Sequence, residues 1–141
     1  MFDFNFNWDD NLNTNIDIID EQHKELFRIG RDIEQLILTN CINVNNKVLL
    51  TIICDLREYI AYSFYQEESM MEQYNYKNMK EHKEVHQYYK HIIETFDVKR
   101  LGQEPLVMLK KLREILIDFV MSHMLIEDIR MAKEISQVVS N

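Results

Sequence analysis

The segment that decides the fold runs Met79-Lys80-Glu81-His82-Lys83-Glu84-Val85-His86-Gln87-Tyr88-Tyr89-Lys90-His91-Ile92-Ile93-Glu94-Thr95-Phe96. Met79, His82, His86, Tyr89, Ile93 and Phe96 follow one another at alternating steps of three and four. That period belongs to one face of an α-helix. The face is apolar except at its two histidines, so both imidazoles point where the core must lie. His91 falls five residues past His86, about 140° round the helix, and belongs to the solvent side.

Working outward, the same period recurs in three more segments. Leu26, Phe27, Ile33 and Ile37 mark a helix from about Asp20 to Leu38, with Asp17 or Asp20 as its cap. Leu49, Ile52, Ile53, Leu56, Ile60 and Phe64 mark a second, from about Lys47 to Gln73. Leu109, Leu112, Leu116 and Phe119 mark a fourth that starts near Glu104, after a break at Gly102 and Pro105, and continues past His123 to about Val138. Asn40 to Asn46 and Asn75 to Asn78 read as loops. Connections this short force neighbouring helices antiparallel. The expected fold is all-α: an up-down-up-down four-helix bundle over about 19–138, with a short C-terminal helical extension. Residues 1–18 form an extended arm anchored by Phe2, Phe4, Phe6 and Trp8, and the whole of 1–141 is one domain.

Composition supports this. With 46% hydrophobic residues but only two glycines and one proline, the chain can fill a core and lacks the turn residues of a β-rich fold. A net charge of −8 disfavours nucleic acid and anionic membranes as partners. No apolar run is long enough to span a bilayer, and the start of the chain lacks the pattern of a signal peptide, so a cytoplasmic protein is expected. Cys41 and Cys54 match no thiolate metal motif and read as free thiols, with Cys54 on a helical pattern that can bury it.

The polar residues within the apolar stripes carry the functional signal. His23 precedes Leu26 and Phe27 by three and four residues, Glu67 follows Phe64 by three, and His123 continues the series that ends at Phe119. Asp128 lies five residues past His123 and reaches the same side if the helix loosens there. One core histidine is ordinarily just hydrogen-bonded, and one HxxxH pair is weak by itself. Four imidazoles and two carboxylates converging from all four helices are another matter. A buried unpaired carboxylate costs several kcal/mol or loses its charge. A shared metal cation resolves that cost, and this donor set suits iron, manganese or zinc. Glu68, one residue off the stripe, reads as solvated, and Met70 and Met71 read as core filler.

The stretches Ile19-Asp20-Glu21-Gln22-His23-Lys24-Glu25-Leu26, Ser63-Phe64-Tyr65-Gln66-Glu67-Glu68, His82-Lys83-Glu84-Val85-His86 and His123-Met124-Leu125-Ile126-Glu127-Asp128 resemble, in order and spacing, the motifs of the hemerythrins. The resemblance, which Trp8 extends into the arm, implies a di-iron centre with an oxo or hydroxo bridge. One iron would take His82, His86 and His123, the other His23, with Glu67 and Asp128 shared between them. It also implies dioxygen or peroxide as the small ligand, bound at the second iron. The departure is Ser63, where the family carries a histidine. Serine is a weak or water-mediated ligand, and Tyr59, one turn earlier, can reach toward the same place. Phe119 stands where many members carry tryptophan. The expected function is dioxygen binding for storage, delivery or sensing. The alternatives are a di-iron oxidase or peroxidase, and an iron-binding module with a weakened second site.

Overall fold

The computed structural model describes residues 4–140 and is helical throughout, with no strand among them. Four long walls form the bundle: α1 (Asp17–Leu38), α2 (Asn46–Gln73), α3 (Met79–Glu94), and a composite fourth made of α5 (Pro105–Asp118), a π-helical segment (Phe119–Asp128) and α6 (Ile129–Ser140). A short α4 (Val98–Gln103) lies between α3 and α5. α1 packs on α2 and α5, α2 on α3, and α3 on the π segment, which closes the ring. No helix among the described residues is long and apolar enough to cross a membrane.

The helix ends differ from the sequence expectation in informative ways. α1 begins at Asp17, and its cap position is Ile16, with no side-chain cap bond. Asp17 and Asp20 are therefore not its caps. Asp20 turns back instead and accepts 2.8 Å bonds from the Thr14 amide and hydroxyl, tying arm to helix. α3 stops at Glu94 rather than Phe96, and the segment read as a break holds α4, capped by Asp97 on the Arg100 amide. Gly102 lies inside α4 and ends nothing, while Pro105 opens α5 as expected. Cys54 is exposed, not buried as its helical pattern allowed, while Cys41, in the α1–α2 turn, packs into the core. Asn40, Asn43 and Asn75 take positive φ in the two tight loops, a conformation asparagine tolerates better than most residues. This is how a chain so poor in glycine makes its turns.

The arm runs over α1, with one turn of 3₁₀ helix at Asp10–Leu12. Phe6 is fully buried and meets Phe4 and Phe27 edge-on at 5.0 and 5.6 Å, and Trp8 meets Phe27 at 5.5 Å. Phe2, the fourth expected anchor, lies outside the described residues. The backbone of Gly30 receives the Phe6 ring so closely that a Cβ there would sit 2.3 Å from its Cγ.

The core is divided. One apolar cluster includes Leu26, Phe64, Tyr89, Phe119 and Val120; a second includes Ile19, Met71, Tyr76, Met131 and Ile135. In every wall the polar residues of interest lie in sequence between members of the two clusters: His23 between Ile19 and Leu26, Glu67 between Phe64 and Met71, His82 and His86 between Tyr76 and Tyr89, His123 and Asp128 between Phe119 and Met131. The fold thus holds a polar layer sealed by hydrocarbon at both ends.

Candidate metal centre

Each wall contributes to that layer by a local rule. His82 and His86 share a face of α3 because they are four apart. Glu67 and Ser63 do the same on α2, one turn from Tyr59. His123 and Asp128, five apart, align because the backbone between them is π-helical, with hydrogen bonds reaching five residues back instead of four. Both are completely buried.

The ligand atoms of Glu67, His82, His86, His123 and Asp128 lie within 4.8 Å of one another, and no residue of the five is more than 2% exposed. The three imidazole centroids form a triangle with sides of 4.6, 4.7 and 5.0 Å. Asp128 turns Oδ1 toward His82 and His123, each at 3.0 Å, and Oδ2 toward His23 at 3.1 Å. Glu67 presents Oε1 to His82 at 3.3 Å and to His86 at 3.4 Å. His23, 1% exposed, thus stands on the far side of Asp128 from the triangle.

Protein hydrogen bonds do not satisfy this arrangement. The His86 Nε2, both ring nitrogens of His123 and the Asp128 Oδ1 are buried without a hydrogen-bond partner, although they crowd one another. Groups that approach to 3.0 Å without the alignment of hydrogen bonds are converging on a common point. Buried imidazole nitrogens and carboxylate oxygens converging in that way fit a metal cation. The ionisation follows the same geometry. Burial pulls the His82 imidazole down, but the Asp128 and Glu67 carboxylates beside it outweigh that and bring His82 up to about 9. Burial pushes the Asp128 carboxyl up, yet His123, His23 and His82 together hold it well below the usual carboxylate range.

The rings are held from behind. Phe64 stacks flat on His86, with centroids at 3.8 Å and planes 2° apart, and Phe119 lies 5.2 Å from His123. Glu68 reaches the outer edge of His86, its Oε2 2.9 Å from Nδ1. The sequence reading placed Glu68 in solvent; it is only 26% exposed and orients an inward imidazole. A signal existed in the Glu67-Glu68 doublet, since one acid can serve the site while its neighbour anchors a ligand on the next helix.

Ser63 is fully buried, and its hydroxyl makes no well-formed hydrogen bond, although it lies close enough to the Tyr59 phenol to lower that phenol's pKa. Tyr59 is buried above it. Burial raises its phenol well above the ordinary value, with Glu67 and Asp128 pushing the same way and Ser63 pulling against. A phenol so disposed stays neutral unless a cation draws the proton off. His91 is exposed, as expected, and Met71 is core, while Met70 packs partly buried beside it.

Comparison with known proteins agrees with this architecture. A family model described as the hemerythrin HHE cation binding domain matches residues 14–135. The chain is 25% identical to a bacteriohemerythrin of Clostridium acetobutylicum over 123 residues, covering 87% of this chain and 95% of that one. It is 31% identical to a bacteriohemerythrin of Campylobacter jejuni over 124 residues, covering 86% and 89%. A bacteriohemerythrin of Pseudomonas paraeruginosa matches at 31% over 83 residues, covering 57% of this chain and 50% of that one.

Proposed function

The chain belongs to the hemerythrin family, and from that premise we propose that it is a non-heme di-iron protein that binds dioxygen reversibly in the polar layer of its bundle. The observation that carries the reading is Asp128, whose two oxygens face opposite ways, one toward the His82 and His123 imidazoles and one toward His23. A carboxylate so placed can serve two metal positions at once. His82, His86 and His123 would hold metal at the first position and His23 at the second, with Glu67 and Asp128 available to both. Iron bound there would supply the redox chemistry that dioxygen binding needs.

The chain's own residues govern how that site behaves. Glu68 fixes the His86 tautomer by accepting from Nδ1, which leaves Nε2 free to face inward. Phe64 and Phe119 keep bulk water from the three-histidine side. A cavity of about 10 Å³, lined by Leu26, Leu56, Tyr59, Ile60, Tyr89 and Phe119 among others, lies in the apolar core and is at the lower limit for a single water-sized molecule.

The Ser63 hydroxyl supports a second reading, an iron-binding module whose second position is weak. Serine offers one neutral oxygen where the family offers an imidazole, so the two positions are unequal in donors. Anaerobic titration with ferrous iron, followed by controlled exposure to air, separates the readings. Reversible binding requires two tight equivalents of iron and a visible band that forms in air and disappears under vacuum. One tight equivalent and no such band favours the weakened module. A transient band with consumption of dioxygen or peroxide favours an oxidase or peroxidase.

A further inference from the structure

We propose that the groove between α1 and α2 is the path by which a hydrated divalent cation enters the second metal position; the proposal rests on the two-metal reading above. The groove has a volume of about 550 Å³, and Asp17, Glu21, Glu25, Asp55 and Glu58 surround it. Arg28 pairs with Glu25 at 2.7 Å and Asp55 at 3.4 Å, and Lys24 with Glu21 at 3.7 Å. Asp17 and Glu58 have no ion pair among the described residues. Five carboxylates against two cations leave the mouth acidic, and a cleft of one sign concentrates ions of the other.

Acidity alone attracts any cation; the floor of the groove selects a direction. Gln22 lines it, is only 6% exposed, and has a buried Oε1 with no hydrogen-bond partner. Its amide nitrogen donates to Gln66 Oε1, and the Gln66 nitrogen donates in turn to the Tyr62 hydroxyl at 2.7 Å. With the amide nitrogen so engaged, the Gln22 oxygen is left without a donor. A neutral amide oxygen without a donor suits a hard cation that sheds water stepwise.

The three groove residues also stand immediately beside the site in sequence: Gln22 before His23, Tyr62 before Ser63, and Gln66 before Glu67. One residue is about 100° of helix, so the groove face and the site face adjoin on both α1 and α2. The Ser63 hydroxyl, buried and likewise unpartnered, lies on the site side of that boundary. Oxygens without a hydrogen-bond partner are thus found at Gln22 on the groove side and at Ser63 and Asp128 Oδ1 on the site side. The small side chain at position 63 puts no imidazole on the site face beside the groove.

Cobalt(II) tests the proposal, because its visible absorption intensifies on ligation and so reports arrival without any oxygen chemistry. Metal-free protein is mixed with Co²⁺ in a stopped-flow instrument at low and high salt. The Asp17→Asn/Glu58→Gln double variant should load roughly tenfold more slowly at low salt and converge on wild type at high salt, as electrostatic steering requires. Gln22→Leu should also load slowly but keep the wild-type salt dependence, and Gln22→Glu should load at least as fast as wild type. Wild-type loading rates in both the double variant and Gln22→Leu, with Co²⁺ fully ligated, overturn the route and leave the metal centre standing. Failure of the wild-type protein to ligate Co²⁺ overturns the centre and the route together. If Gln22→Leu fails to fold, the surface double variant and its salt dependence still decide.

Discussion

His123 and Asp128 are five residues apart in the chain, yet Nε2 of one lies 3.0 Å from Oδ1 of the other. An ordinary α-helix would set them about 140° apart. The π-helical stretch Phe119–Asp128, with its wider turn, reduces that offset and brings both side chains to the same point. π turns are rare and occur mostly at functional sites, where an altered hydrogen-bond register re-aims a side chain. The sequence showed the problem, two site-type residues at a spacing that α geometry does not align. It could not show the solution, because a π register leaves no compositional trace.

The charge coupling around this pair makes the stability of the metal-free protein depend on pH in a defined direction. His82 is raised from its ordinary 6.5 to about 9. Its contribution is complete below pH 6.5 and is lost as pH rises through about 9. Asp128 is held below its ordinary 3.8, so its contribution is present above that value and is lost as pH falls toward the folded-state value. Urea unfolding of metal-free protein should therefore give a higher midpoint near pH 6 than near pH 9.5. Metal affinity should run the other way. It should rise about tenfold per pH unit below 9, because the metal must displace the His82 proton. An unfolding midpoint that climbs between pH 6 and 9.5 would contradict the coupling.

Glu68 illustrates a limit of stripe reading. Periodicity locates the Cα, but a glutamate reaches well round its helix, and this one crosses from α2 to the Nδ1 of His86 at 2.9 Å. Glu68→Ala should lower metal affinity by roughly 10–100-fold while leaving helicity unchanged. Glu68→Gln, which keeps an acceptor but not the charge, should fall between. Competition with a chromophoric chelator measures both. Equal affinity in all three proteins would show that the ring is oriented without it.

The arm supplies a second case. The aromatic alternation at Phe4, Phe6 and Trp8 marked it as a segment lying across the bundle, and burial of Phe6 bears this out. Its landing place was not legible, because Gly30 sits within a regular helix and has no unusual φ to betray it. What requires glycine there is the Phe6 ring, 2.3 Å from where a Cβ would stand. Gly30→Ala gains helix propensity but must displace that ring, and the overpacking should dominate with a net loss of about 1–3 kcal/mol. Phe6→Ala in the same background should show less than additive loss, since the clash vanishes with the ring. Chemical denaturation of the four proteins in this cycle checks it. Additive losses would mean that the two residues do not share a contact.

Ser63 is the position where the sequence departs from its family and the structure supplies a consequence. Its hydroxyl is buried without a partner, a condition that costs about 1–3 kcal/mol relative to a satisfied group. If its only effect in the metal-free protein is that penalty, Ser63→Ala should be neutral or stabilising by about 1 kcal/mol in the absence of metal. If the same hydroxyl, directly or through water, completes the second position, Ser63→Ala should at the same time weaken the second metal equivalent and leave the first unchanged. Ser63→His tests the opposite direction. An imidazole one turn before Glu67, where the family carries one, should give the second position a strong donor. Iron content per chain should rise and any oxygenated form should last longer. The larger side chain must find room beside Tyr59, whose ring is also buried, so some metal-free stability should be lost through crowding. Metal analysis, calorimetric unfolding and the lifetime of the visible band separate these effects. A Ser63→His protein with unchanged iron content and unchanged band lifetime would show that position 63 does not limit the second site.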